Sequence, residues 1–162
     1  MNIDEMQESV INVLSYAKVI KLLSLIEAES ITEELFFDKV TKNSNQIKKI
    51  LNISSIETTD LAYLVTTIQL ELYKQLKRIA NNTQNILEGD NGEYRPLFRN
   101  LQSLKFSFSD ALNLSVFEID NAPFVQVIDN IESYLYFSKN RKPDENNGVK
   151  VIRELAPDTD LF

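Results

Sequence analysis

Apolar side chains recur at alternating spacings of three and four from the first residues of the chain, which places them on one stripe of a helix. Ile3, Met6, Val10, Val13, Ala17 and Ile20 make the first stripe, and Ile11, Leu14, Leu22 and Leu25 widen it. A helix apolar over so much of its circumference touches several neighbours, so residues 3–27 are expected as one central helix with Val13 buried. The longest helix is expected over 60–87. There Leu61, Val65, Ile68, Leu72, Leu76 and Ile79 keep a near-heptad rhythm, which weakens over Asn81–Asn85 and stops at Gly89.

Punctuation between the stripes divides the rest. Ser30 and Glu33 have the capping-box spacing and start a helix that buries Leu35, Phe36 and Val40 and ends near Lys42. Asn43-Ser44-Asn45 then supplies a turn and a new cap for a short helix at about 45–52. Gly89–Glu93 reads as a loop, and Pro96 suits the first turn of a helix over 96–113; the strand-like alternation of residues 105–109 lies inside that longer helical pattern. Asn121-Ala122-Pro123 opens a last helix ending near Ser138-Lys139. After a polar loop at 142–148, Val149–Ile152 reads as a short strand able to pair with Val116–Ile119. The expected fold is an all-α bundle of about six helices, with a minor two-stranded ribbon near the C-terminus. A single domain over 1–155 and a tail over 156–162 follow, because 162 residues, 43% of them hydrophobic, suffice for one core.

Composition narrows the chemistry. The chain has neither cysteine nor histidine, so disulfides, thiolate nucleophiles, Ser-His-Asp relays and imidazole or thiolate metal ligands are excluded. Three glycines, at 89, 92 and 148, cannot write a P-loop or a dinucleotide fingerprint. The start Met1-Asn2-Ile3-Asp4-Glu5 is acidic where a secretory signal is basic, and no apolar run is long enough to span a bilayer, so the expected compartment is the cytoplasm, with no membrane partner. The sequons at Asn52, Asn81 and Asn113 are then accidental. Sixteen Asn and sixteen Ile suggest an AT-rich bacterial or phage genome. The net charge of −7 is uneven: residues 41–80 carry six bases against three acids, and both flanking regions are acidic.

Four features qualify as candidate sites, the last of them at the C-terminus. The acid pairs Glu5/Glu8, Asp129/Glu132 and Glu118/Asp120 suit a hard cation by type, but lack the further ligands a site needs, so they read as solvated surface and no metal or cofactor is expected. Residues 31–52 have the outline of two short helices about a turn. In a helix-turn-helix reading, Lys42, Ser44, Asn45, Gln46, Lys48 and Lys49 face nucleic acid; a structural hairpin is preferred, because Phe36, Phe37 and Val40 stand where close packing asks for small residues. Phe36-Phe37 and Tyr134–Phe137 place large apolar groups on adjacent positions, so a helix cannot send all of them into one core; Phe37 and Tyr136 are the expected partner anchors.

At the C-terminus, Pro157 discourages helix, and Asp158 and Asp160 precede Leu161 and Phe162. Asp160-Leu161-Phe162 resembles the end of bacterial sliding-clamp-binding peptides, and the acidic, Phe-terminated form is similar to the tip of single-stranded DNA-binding proteins. It departs from the first at Asp158 and Thr159, where Gln and Leu are usual, and from the second at Leu161, where Pro is usual. The resemblance implies a docking peptide using Asp160, Leu161 and Phe162; a tail that packs on its own domain is preferred. The function expected is non-enzymatic protein association, by an accessory or regulatory subunit of a bacterial or phage complex. Its partner is another chain, in a hetero- or homo-oligomer. Two further readings stand beside it: a helix-turn-helix DNA-binding regulator using 41–52, and an acidic inhibitor or immunity protein for a toxin or nuclease.

Overall fold

The computed structural model describes residues 3–27, 34–79 and 96–140. The fold is all-α. Its described elements are α1 (Ile3–Val13), α2 (Tyr16–Ile26), α3 (Glu34–Lys42), α4 (Ser44–Leu51), α5 (Thr58–Lys77), α6 (Leu97–Leu112), α7 (Val116–Asn121) and α8 (Phe124–Asn140). All eight contribute buried side chains to one apolar core. Seven of the eleven residues of α2 are buried, so it lies at the centre and packs against α3, α4, α6, α7 and α8. The helix α1 packs against α5 and α8, and α6 against α7 and α8.

Among the described residues eight helices stand where six were expected, because two stretches divide differently. The single helix expected over 3–27 is broken at Leu14-Ser15. Ser15 is extended (φ −71°, ψ 160°), and its hydroxyl accepts the Lys18 N–H at 3.3 Å as an N-cap. A second break, between α7 and α8, meets the first. Ala122 there is also extended (φ −79°, ψ 148°), the conformation that a following proline favours. The Phe124 N–H donates to the Leu14 carbonyl (2.8 Å) and the Tyr16 N–H to the Ala122 carbonyl (2.9 Å), giving an antiparallel bridge between Ser15 and Pro123. Each break thus satisfies backbone groups that the other leaves open. The break also resets the helical phase. Val13 is 73% exposed and Ala17 is exposed, while Val10, Ile11, Leu14, Leu22 and Leu25 are buried; the expectation of a buried Val13 is overturned.

The second departure is α7. Val116–Ile119, expected as a strand, is helical because Ser115 and Glu118 form a capping box. The Ser115 hydroxyl accepts the Glu118 N–H (3.1 Å), and the Glu118 carboxylate accepts the Ser115 N–H (2.7 Å). The proposed strand partner at 149–152 lies outside the described residues, as do the capping box at Ser30–Glu33, the loops at 89–93 and 142–148 and the tail at 156–162.

Elsewhere the described boundaries lie within about three residues of the expected ones, except that the helix expected to run to residue 87 ends at Lys77. The longest described helix is α5, and Leu61, Val65, Ile68, Leu72, Leu76 and Ile79 are all buried; Arg78 and Ile79 close its end as a turn, and 80–87 lie outside the described residues. Asn52 and Asn113 cap α4 and α6 in the left-handed conformation (φ 57° and 54°), which Asn tolerates better than most side chains. Two of the three sequon asparagines are therefore explained by backbone geometry.

Candidate functional site

The end of α8 carries an exposed pair of adjacent aromatic side chains. Residues adjacent on a helix point about 100° apart. Tyr134 and Leu135 are half-buried while the next two side chains face outward, Tyr136 at 64% and Phe137 at 70% exposure. Their rings meet edge to face with centroids 5.7 Å apart, a favourable arrangement of aromatic quadrupoles. The same reasoning separates Phe36, which packs on the core, from Phe37, which is 49% exposed on α3. Asp160, Leu161 and Phe162 lie outside the described residues.

Tyr136 is one turn beyond Glu132 on α8, and from Glu132 a polar strip runs across to α5 and α1. Arg78, which closes α5, donates from Nε and Nη2 to the Glu132 carboxylate (3.1 and 3.0 Å) and from Nη2 to Asp129 (2.6 Å). Its Nη1 donates to Gln75 (2.6 Å), whose amide in turn donates to Glu71 (3.1 Å). Glu71 and Gln75 then line a surface groove with Gln7, Glu8, Ile11 and Asn12 of α1. The two carboxylates hold Arg78 protonated well above its usual range, chiefly through the hydrogen bonds it donates to Glu132, and Arg78 lowers the pKa of Glu132. Asp129 and Glu132 therefore serve as the seat of a guanidinium. Of the other acid pairs, Glu118 is engaged in its capping box and Asp120 with Lys105 at 3.1 Å, while Glu5 and Glu8 lie exposed on α1. Among the described residues no group of three or more acids is placed to hold a metal.

The structure places the nucleic-acid candidates together on the α3–α4 hairpin. Lys42, Asn45, Gln46 and Lys49 are exposed, and Ser44 and Lys48 half-buried, on α3 and α4. A single residue, Asn43, joins the two helices, shorter than the three to four residues usual in a helix-turn-helix. Asn43 also ties the hairpin to the core, its side-chain amide donating to the Leu25 carbonyl at 3.0 Å. Lys48 lines a groove with Ser54, Ser55 and Ile56, but also with Glu57 and Asp60, which offset its charge where a phosphate would sit. The expected result with duplex DNA is no salt-sensitive retention, and no change on making Lys48→Glu with Lys49→Glu. Electrophoretic mobility shift measures it, and submicromolar, salt-dependent binding lost in the double variant would reverse the ranking.

Two buried titratable residues escaped sequence reasoning. Tyr16 is fully buried and packs against Phe108 and Phe124, and its hydroxyl donates to the Leu101 carbonyl at 2.6 Å. Burial, reinforced by the charge of Asp120, pushes its pKa well above the ordinary value, so it is a neutral hydrogen-bond donor. Glu27 is only 4% exposed and is the one buried charged residue among those described. Its carboxylate accepts the Leu97 N–H (2.8 Å) and the Phe98 N–H (2.9 Å), capping α6 in place of Pro96, whose ring offers no side-chain acceptor. Its backbone carbonyl accepts from the Lys39 ammonium. Burial raises the Glu27 pKa, opposed by the two backbone hydrogen bonds and by Lys39. Sequence signals for both were slight: Ser15 before Tyr16 as a cap, and an acid closing the apolar run Leu22–Ile26. No protein-family model matches this sequence, and neither a curated protein nor a solved structure matches it.

Proposed function

We propose that this chain is a non-enzymatic protein-association module, an accessory or regulatory subunit of a bacterial or phage complex in the cytoplasm, and that the outer end of α8 is its docking surface. The observation that carries the reading is the Tyr136–Phe137 pair, two large rings held edge to face on a regular helix with most of their area in water. A rigid helix presents such anchors at small entropic cost, and aromatic anchors dominate the energetics of interfaces. Phe37 on α3 is a second anchor of the same type. The carboxylates that general acid–base or metal chemistry would recruit are instead engaged in Arg78, Lys105 and Ser115 contacts, which supports association over catalysis. No described helix is long and apolar enough to cross a membrane.

Affinity purification from the source cells tests this with wild type and with Tyr136→Ala combined with Phe137→Ala. Both side chains are exposed, so the variant should melt with the wild type. Losing two anchors should weaken association by about 2 kcal/mol or more, roughly 30-fold, enough to remove the specific partner from the eluate. Undiminished recovery of the same partner by the folded double variant would sink the proposal.

A further inference from the structure

The strip that leads to Tyr136 also bears on the chemistry of what docks there. Going from α1 through α5 to α8, it presents the carboxylates of Glu8, Glu71, Asp129 and Glu132 against the cations of Lys74 and Arg78. It is contiguous: Glu8 and Glu71 line one groove, Gln75 joins Glu71 to Arg78, and Arg78 joins α5 to Asp129 and Glu132. Asp129, Glu132 and Tyr136 follow at intervals of three and four and so share one face of α8. The remaining net charge on the strip is negative, as is that of the whole chain at −7.

We infer that the docking face of α8 receives a basic segment of a partner protein, laid along this strip from the α1–α5 groove to Tyr136. The inference rests on the association reading above and adds the partner's charge. Lysine or arginine side chains of the incoming segment meet Glu8 and Glu71 in the groove. Their aliphatic stems cover Ile11, which lines it, and a cation or apolar group at the far end meets the Tyr136 ring. Arg78 fixes the rotamers of Asp129 and Glu132 before docking, so less side-chain entropy is lost at that end. The α3–α4 hairpin does not fit such a segment, because Lys42, Lys48 and Lys49 stand there.

The probe is a labelled synthetic amphipathic helix of leucine and lysine, compared with its leucine–glutamate counterpart by fluorescence anisotropy at low and physiological salt. The lysine peptide should bind, the glutamate peptide should not, and salt should weaken the complex. Glu8→Lys with Glu71→Lys should cost about tenfold or more in affinity. Asp38→Lys with Asp60→Lys, an equal change of charge on exposed residues outside the strip, on α3 and the first turn of α5, should change it by no more than about twofold. Equal loss in both charge variants, or equal binding of both peptides, would overturn the assignment by showing only bulk attraction. The two proposals fail separately. If the Tyr136/Phe137 variant loses the cellular partner while the Glu8/Glu71 variant keeps both that partner and the lysine peptide, the basic-segment inference falls and the α8 surface stands.

Discussion

Replacing Glu27 by Ala should destabilise the fold by on the order of 2–4 kcal/mol, because it leaves two backbone N–H groups at the start of α6 without an acceptor, one of them buried. Ordinary N-caps are local and their loss is cheaper, since water reaches the exposed amides. Here the acceptor comes from α2, 70 residues away in sequence, and the site is closed to solvent. Chemical denaturation measures the loss, and a change below about 0.5 kcal/mol, the range of an ordinary surface substitution, would show that the cap is dispensable. The pH dependence has a definite sign. The folded-state pKa of Glu27 lies above its unfolded value, so the folded chain binds this proton more tightly. The contribution of Glu27 is therefore most favourable below its unfolded pKa and is lost as pH rises through the raised folded value. Relative to Glu27→Gln, which does not titrate, wild type should gain stability on acidification from neutral pH towards the unfolded carboxylate range. The effects of other carboxylates, such as Glu132 with its lowered pKa, cancel in that difference. A constant difference across the range would mean that Glu27 titrates alike in both states.

The second large effect is at Ile68, fully buried on α5, where truncation to Ala should cost about 2–5 kcal/mol through lost burial and the cavity left behind. Val13→Ala should change stability by no more than about 0.5 kcal/mol, because its side chain is 73% exposed. Thermal melts of the pair test the break at Leu14-Ser15 directly. If residues 3–27 formed one continuous helix, the two variants would be similarly destabilised; if the break is real, only Ile68→Ala falls.

The contrast between these two residues shows how far a sequence can be read. On α5 the three-four rhythm is uninterrupted over twenty residues, so the period alone fixes which side chains face inward. On 3–27 the rhythm persists by accident through Ser15, whose capping hydroxyl competes with the helix. What stabilises that competition is Pro123, whose neighbouring backbone supplies the hydrogen bonds, and a pairing between distant helix ends leaves no local periodic signal. Val116–Ile119 misled for a related reason: it was read as the partner of a strand at 149–152, while Ser115 and Glu118 cap a helix there. At the candidate surface, adjacency of Phe36 with Phe37 and of Tyr134 through Phe137 was enough to require that some rings face outward. The reach of Arg78 from α5 to Asp129 and Glu132, more than fifty residues on, was not legible, because exposed salt bridges follow no spacing rule between helices.

The bridge between Ser15 and Pro123 also governs the order in which this molecule can assemble. It joins the first 16 residues to a position more than one hundred residues later, so the stretch between them is a closed ring once the bridge forms. Tyr16, the largest fully buried side chain among the described residues, takes its ring contacts from Phe108 and Phe124 and its hydroxyl acceptor from Leu101, all near the far end of that stretch. During synthesis the N-terminal helices must wait for α6, α7 and α8 before their centre can dehydrate, which makes ring closure a slow, non-local step in an otherwise helical chain. Helices α1 and α2 accordingly share one core with α6, α7 and α8, and the bridge holds the two breaks together beside Tyr16 at its centre.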